Sequence, residues 1–247
     1  MFEGFDREMI PFFLDLRFHN DRQFMDANRD RYLKHVRTPF YAFITEVGQR
    51  MQTLVPDLEL RPNKCLSRIN RDTRFSRDKS LYRDHLWAAF RQSGVGKDGE
   101  PFYWFEIRPE GVSWGLGLWG ENRLLMEALR RRIIAFPEDV RRRLGRLDEA
   151  GCFMSGPDWK KLKVPEEVPR DLRGLYVKRA VYFEKRDPRQ EWIYSPGIAD
   201  RVFEDYALLL PLYRLLRGCA QEQYGEDASG GQPEEQAGTR ILPERGS

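Results

Sequence analysis

The sequence contains few of the residues that build disulfide frameworks and metal centres. Its 247 residues include three cysteines, which are far apart and form no Cys-x-x-Cys pair. Isolated cysteines in odd number argue against a disulfide scaffold or a zinc site and favour a reducing compartment. The three histidines form no H-x-H or H-E-x-x-H pattern, so we expect no metal site.

Long apolar segments are also missing. The longest apolar run, residues 207–213, contains Pro211 and is far shorter than a membrane-spanning helix. The first residues lack the basic and apolar regions of a signal peptide. We therefore expect a cytoplasmic protein that has no membrane segment.

The net charge is small but is divided unevenly along the chain. Lys and Arg (42) and Asp and Glu (39) give a formal charge of +3. From Glu222 onward there are six acidic and two basic residues, which leaves +7 on the part before it. The final residues are rich in Gly, Gln, Glu and Pro, a composition typical of disorder. We predict one domain over residues 1–218 and a disordered acidic tail over residues 219–247.

The spacing of apolar residues predicts an α+β fold with a central antiparallel sheet. Helical spacing dominates the first fifty residues, and the pair Thr38-Pro39 is typical of a helix start with a capping hydroxyl. Helical spacing returns from Leu124 to about Leu147, and a final helix is predicted from Ser195-Pro196 to Leu216. Short aromatic-rich segments between turn residues predict strands. The predicted strands cover residues 58–60, 65–70, 86–91, 102–108, 112–119 and 175–184.

A glycine run, Gly115-Leu-Gly-Leu-Trp-Gly120, has the letters of the G-x-G-x-x-G dinucleotide fingerprint. That fingerprint requires a first strand in a βαβ unit and an open helix start. Here the strand follows an antiparallel series, and Glu121 lies where a phosphate would be. We interpret the glycines as allowing a crowded strand to pass its neighbour, and we expect no cofactor.

The strongest functional signal is the arginine segment, residues 68–85. Nine Lys or Arg side chains and three Asp side chains fall between Arg61 and Arg91. Guanidinium groups make bidentate contacts to carboxylates or phosphates, so the segment is either an ion-pair network or an anion site. Three carboxylates cannot balance the cations, and this excess favours an external anion.

Three blocks of the sequence resemble a bacterial and fungal family known as domain of unknown function 2461. Residues 20–32 are similar to its Asn-Arg-Glu-Trp-Phe-x-x-Asn-Arg-x-x-Tyr block. Residues 71–85 are similar to its Arg-Asp-x-Arg-Phe-Ser-Lys-Asp-Lys-Ser-Pro-Tyr-Lys-x-His block, with Leu81 in place of the proline. Residues 115–119, Gly-Leu-Gly-Leu-Trp, form the third block. The resemblance implies an intracellular α+β domain and supplies no substrate.

Three functions remain open at this stage. The first is binding of a phosphate-bearing ligand or nucleic acid by the arginine segment. The second is an enzyme for a small anionic substrate, with Asp72, Asp78 or His85 as proton-transfer group. The third is a protein-interaction domain whose ion pairs are structural. The candidate ligand-binding residues are Asn28, Arg68, Arg71, Asp72, Arg74, Ser76, Lys79, Ser80, Tyr82 and His85.

Overall fold

The computed structural model describes residues 1–74, 78–95, 100–118, 120–188 and 191–229, with side chains through residue 222. It confirms the predicted α+β fold, in which helices precede and follow a central antiparallel sheet. In this described part, no helix is long and apolar enough to cross a membrane. The α-helices are α1 (Met9–Phe18), α2 (Arg22–Ala27), α3 (Arg29–Tyr32), α4 (Thr38–Gln52), α5 (Pro62–Cys65), α6 (Arg123–Ala135), α7 (Pro137–Leu144), α8 (Arg146–Ala150), α9 (Arg173–Tyr176) and α10 (Gly197–Ser229).

The predicted helix start at Thr38-Pro39 is only partly right. Helix α4 begins at Thr38, but a π-helical turn, Leu33–Arg37, leads directly into it. The Thr38 hydroxyl donates to the Leu33 carbonyl at 2.8 Å, so it does not cap the new helix. Because Pro39 has no amide hydrogen, it marks the change from the π pattern to the α pattern.

The sheet has the strand order β1-β2-β3-β5-β4, and every neighbouring pair is antiparallel. Strands β1 to β3 follow one another as a meander, close to the bounds that the sequence predicts. Their consecutive pairing places β1 at one edge of the sheet. The strands are β1 (Leu86–Phe90), β2 (Pro101–Arg108), β3 (Gly111–Leu118), β4 (Phe153–Ser155) and β5 (Tyr182–Asp187).

Three predicted strands are wrong or displaced. Residues 58–60 and 65–70 make only isolated bridges, such as Leu66 with Ala88, because Pro62 starts the helical turn α5 between them. The late strand predicted over residues 175–184 begins at Tyr182. Its first residues instead belong to α9 and a following turn, which bury Leu175 and Tyr176.

Alternate residues of the strands divide the sheet into a buried face and an outer face. The buried face packs on α4 and α10: the rings of Phe43 and Phe105 are 4.5 Å apart, and those of Tyr103 and Tyr213 are 5.1 Å apart. The intervening residues of β2 lie on the outer face, where Trp104 and Glu106 are half-buried.

The last helix extends beyond the predicted domain boundary at residue 218. Helix α10 contains Pro211 and runs to Ser229, and Cys219 and Ala220 are buried. The body therefore includes residues that the sequence assigned to the tail, because two small apolar side chains still face the core. Residues 230–247 of the predicted tail lie outside the described residues.

A second arginine-rich region, which we call the helical arginine region, spans residues 130–146 on α6, α7 and α8. Its side chains have partners within the fold. Arg130 is buried and donates to the Tyr176 and Lys178 carbonyls at 2.9 and 2.7 Å. Acidic residues one helical turn away or across the surface pair with five others: Arg132 with Glu222, Arg141 with Asp171, Arg142 and Arg143 with Asp139, and Arg146 with Glu149.

Candidate functional site

The arginine segment leaves the edge of the sheet and returns to it. Its two halves pair where Arg71 donates its amide to the Leu81 carbonyl and Arg83 donates to the Ile69 carbonyl, both at 2.8 Å. The Asn20 side chain fixes the returning half by bonding both backbone groups of Tyr82, at 2.9 and 2.8 Å. The segment is thus attached to the sheet edge and to the chain just after α1.

All three aspartates of the segment are paired. Asp72 binds Arg74 in a bidentate contact at 3.0 and 2.7 Å, which lowers the pKa of Asp72 to about 2. Asp78 lies 3.0 Å from Arg71, and the Ser80 amide and hydroxyl lower its pKa. These two exposed carboxylates stay ionised at neutral pH, so they are poorly suited to accept a proton.

The third carboxylate, Asp84, is held at the start of β1. Burial would raise its pKa, but hydrogen bonds from His85 and Arg17 lower the pKa below the ordinary value. The Arg17 Nε lies 2.6 Å and the His85 Nδ1 2.9 Å from the carboxylate oxygens. Asp84 therefore orients His85.

Arg83 is bound by carbonyl groups, and no carboxylate lies within 4 Å of it in the described part of the chain. It donates to the carbonyls of Arg68 and Asn70 at 2.9 and 2.5 Å, and its guanidinium lies 5.1 Å from the Trp87 ring centroid. Burial and the neighbouring charge of Arg71 lower the pKa of Arg83. Two guanidinium groups are consequently held close together.

A cavity of about 860 Å³ lies between residues 63–74 and the outer face of β1 and β2, and we call it the basic cleft. Two carboxylates, Asp72 and Glu100, line it beside six cationic side chains. Four of those cations, Lys64, Arg68, Arg83 and Arg91, have no carboxylate within 4 Å among the described residues. The complete set of cations is Lys64, Arg68, Arg71, Arg74, Arg83 and Arg91.

A second cavity, of about 1010 Å³, covers the outer face of the sheet, and we call it the sheet cleft. Four arginines and four carboxylates line it, so its charges balance. Aromatic rings form much of its wall, and the Trp104 and Tyr182 rings meet edge to face with their centroids 5.8 Å apart. The aromatic residues are Trp87, Phe102, Trp104 and Tyr182.

Two glycines of β3 allow the neighbouring strand β5 to approach closely beside the sheet cleft. On the outer face, Gly115 lies between Trp104 and Glu184, and Gly117 lies between Phe102 and Tyr182. A Cβ atom at Gly115 would come within 2.1 Å of the Phe183 carbonyl oxygen. At Gly117 a Cβ atom would come within 2.5 Å of the Tyr182 ring, so the predicted role of these glycines in strand packing is confirmed.

His85 lies at the border of the sheet cleft. Its Nε2 is 3.7 Å from a Glu106 carboxylate oxygen, and its ring stacks on Trp87 with the centroids 5.9 Å apart. Burial lowers the pKa of His85 below its ordinary value, which favours the neutral imidazole. A neutral imidazole held by a carboxylate can accept a proton, a chemistry that neither Asp72 nor Asp78 offers.

The two clefts adjoin on the same face of the sheet. Four residues line both of them: Arg71, Arg83, Trp87 and Phe102. A charge-rich compartment thus opens directly beside an aromatic, charge-balanced one.

The structure brings together some of the predicted site residues and separates others. Arg68, Arg71, Asp72 and Arg74 line the basic cleft, and Arg71 with His85 lines the sheet cleft. Arg68 and Tyr82 also line a third, smaller cavity of about 290 Å³ beside the π-helical turn.

The other candidates lie outside these cavities or outside the described part of the chain. Lys79 donates to the Thr73 carbonyl at 2.8 Å, and Ser80 donates to Asp78 at 2.7 Å, so both stabilise the turn. Asn28 donates to the Phe24 carbonyl at the end of α2. Ser76 lies outside the described residues.

Sequence reasoning missed the sheet cleft. Its carboxylates Glu106 and Glu184 and its ring Trp104 occupy alternate strand positions, which is the pattern of any half-exposed strand. Glu184 is buried and accepts from Ser155 and Arg186, both at 2.6 Å. The sequence feature that could have indicated the sheet cleft is a polar residue within an aromatic-rich strand that faces glycines of the neighbouring strand.

The chain belongs to the family described as conserved hypothetical protein (DUF2461), which its residues 8–215 match. This match confirms the resemblance found in the sequence, and it covers nearly the whole predicted domain. A comparison with curated proteins finds no match.

Proposed function

We propose that the protein binds a phosphate-bearing ligand, nucleic acid included, in the basic cleft. The observation that carries the proposal is the imbalance of six cations against two carboxylates in one cavity. One of the two carboxylates, Asp72, is already occupied by Arg74. A phosphate would supply the missing negative charge and accept several guanidinium hydrogen bonds.

The cleft is also arranged in advance for such a ligand. Carbonyl groups hold Arg83, and Asp78 holds Arg71, so the two adjacent guanidinium groups do not separate. Like charges held close together repel each other, and a bound anion relieves this repulsion. Arg68, which is exposed and has no side-chain partner in the described part of the chain, can turn toward the ligand.

Thermal unfolding with added anions tests the proposal. Pyrophosphate and phosphate should raise the melting temperature more than chloride at the same ionic strength, because only a ligand of the native state stabilises it. Arg68→Gln should lose most of this response. Arg22→Gln is the matched control, since Arg22 is equally exposed but lines none of the three cavities.

The test also discriminates against a purely structural segment. If the ion pairs served the fold alone, wild-type protein would show no specific response to phosphate. In that case the protein would be better described as a protein-interaction domain whose ion pairs are structural.

An enzyme for a small anionic substrate is the second candidate, and the placement of His85 favours it. Asp84 orients the imidazole through Nδ1, and the imidazole Nε2 lies 3.7 Å from Glu106 of the sheet cleft, which adjoins the residues that would hold the anion. We expect any turnover of phosphate esters to be lost in His85→Gln while phosphate binding is kept. Turnover that survives this substitution would remove His85 from the proposed role.

We place this binding in the cytoplasm. The three cysteines are free and buried in the described structure, which supports a reducing compartment.

A further inference from the structure

We infer that the ligand is a nucleotide unit whose phosphate lies in the basic cleft while its base stacks in the sheet cleft. The inference rests on the proposed anion binding and adds the second half of the ligand. The shared chemistry is a phosphate joined through a sugar to a planar base, either as a free nucleotide or within a single strand.

The first argument is the contrast in charge between two adjoining cavities. The basic cleft has four more cations than carboxylates, whereas the sheet cleft has four of each. A ligand that fills both must therefore be anionic at one end and close to neutral at the other. Inorganic phosphate and polyphosphate match only the basic cleft, because they have no uncharged end.

The second argument is the surroundings of Trp104. Its cross-strand neighbours on the outer face are Ala89 on one side and Gly115 on the other. The half-buried indole lines the sheet cleft, and the Phe102 and Tyr182 rings, whose centroids are 5.9 and 5.8 Å from its own, extend this aromatic wall. A planar group can stack there, and stacking on aromatic side chains is how proteins hold unpaired bases.

The third argument is proximity. Ala89 lines the basic cleft and pairs in register with Trp104, which lines the sheet cleft. The Arg83 guanidinium lies 5.1 Å from the Trp87 ring at the same border. A phosphate bound by Arg83 and a base stacked on Trp104 are thus in neighbouring positions.

The polar groups of the sheet cleft suit the edge of a base. Glu106 and Glu184 can accept hydrogen bonds, and Ser113 lies across β3 between their strands. Base edges present donors and acceptors in the same plane, so they can meet carboxylate and hydroxyl groups while the ring stacks. A purely apolar ligand would cover these carboxylates without offering them a hydrogen-bond donor, which is unfavourable.

Calorimetric titration of the full chain with four probes tests the inference: AMP, ribose 5-phosphate, adenosine and inorganic phosphate. AMP should bind about tenfold or more tightly than ribose 5-phosphate, because the base adds stacking. Trp104→Leu should reduce AMP affinity to that of ribose 5-phosphate and leave the affinity for inorganic phosphate unchanged. This retained phosphate binding also shows that the variant is folded.

Two further variants sharpen the result. Trp104→Phe keeps an aromatic ring and should retain most of the AMP affinity. Trp159→Leu is the matched control, because Trp159 is exposed and lines neither cleft. Equal binding of AMP and ribose 5-phosphate would overturn the inference but leave anion binding intact, whereas no binding of any phosphate would overturn the proposed function.

A short oligoadenylate separates the two sources of the nucleotide unit. If single-stranded nucleic acid is the ligand, the oligomer should bind more tightly than AMP, and its affinity should fall more steeply with salt because it contacts more phosphates. If a free nucleotide is the ligand, AMP should bind at least as tightly as the oligomer.

Discussion

The basic cleft and the helical arginine region are both dense in arginine, yet they differ in what neutralises the charge. In the helical region, carboxylates or carbonyls of the fold bind the side chains, as Asp139 binds Arg143 and Tyr176 binds Arg130. In the basic cleft, four of six cations have no carboxylate partner among the described residues: carbonyl groups bind Arg83 and Arg91, and the Lys64 and Arg68 side chains have no hydrogen bond or ion pair there. Arginine density alone therefore does not identify a binding site; the missing partners do.

The largest expected effect is on the buried member of the helical region. Arg130→Met should destabilise the fold by about 3 kcal/mol, because one buried and one partly buried carbonyl group lose a charged donor. Urea unfolding measures this change. Arg123→Met on the same helix is the control and should cost under about 0.5 kcal/mol, since its pair with Glu127 is exposed. A loss no larger than this control would show that Arg130 is not structural.

A half-exposed pair of the helical region should give an intermediate effect. Arg143→Gln removes the contacts to Asp139 and to the Pro211 carbonyl, at 2.8 and 2.9 Å, and should cost about 1 kcal/mol. The neighbouring Arg142→Gln affects a side chain that is 77% exposed and should be nearly neutral. If the two substitutions cost the same, the contact to α10 contributes nothing to stability.

The pKa of Asp72 tests whether a carboxylate of the fold neutralises an arginine of the arginine segment, as carboxylates do in the helical arginine region. NMR should place the pKa of Asp72 at about 2 in the wild type, because Arg74 binds its charged form. Since the lowered pKa belongs to the folded state, this pair stabilises the fold above the ordinary value of 3.8, and the contribution disappears as pH falls toward 2. Arg74→Gln should return the pKa to near 3.8, whereas an unchanged pKa would mean that the pair does not form.

The smallest expected effect on stability is at Arg68. Arg68→Gln should change the free energy of unfolding by less than about 0.5 kcal/mol, because no side-chain contact in the described structure is lost. A slight gain would fit relief of repulsion among the cations. Urea unfolding without phosphate measures this change. If the free energy of unfolding fell by about 2 kcal/mol, Arg68 would have a structural partner, as the arginines of the helical arginine region do.

Much of the fold was predictable because local patterns dominate it. The strands over residues 86–91, 102–108 and 112–119 were identified by aromatic alternation between turn residues, and the meander keeps those turns short. The strand predicted at residue 175 was wrong because Leu175 and Tyr176 are buried by a helical turn rather than by strand pairing. Apolar runs alone do not distinguish these two cases.

The candidate site was predictable only in part. The excess of arginine was visible, and so was the role of Gly115 and Gly117. Which cations lack partners depends on contacts between distant residues, such as Arg17 with Asp84, and no sequence pattern reports them. The sheet cleft depends on strand register, which places Trp104 between two small residues.

The bond between Asn20 and the backbone of Tyr82 has a consequence for dynamics. It joins residues 62 positions apart and, together with the Arg17–Asp84 ion pair, links the end of the first helix to the returning half of the arginine segment. Local opening of that helix should then release the segment, so the two should exchange their amide hydrogens as one cooperative unit. Asn20→Ala should speed exchange at the Tyr82 amide while the strands of the sheet remain protected.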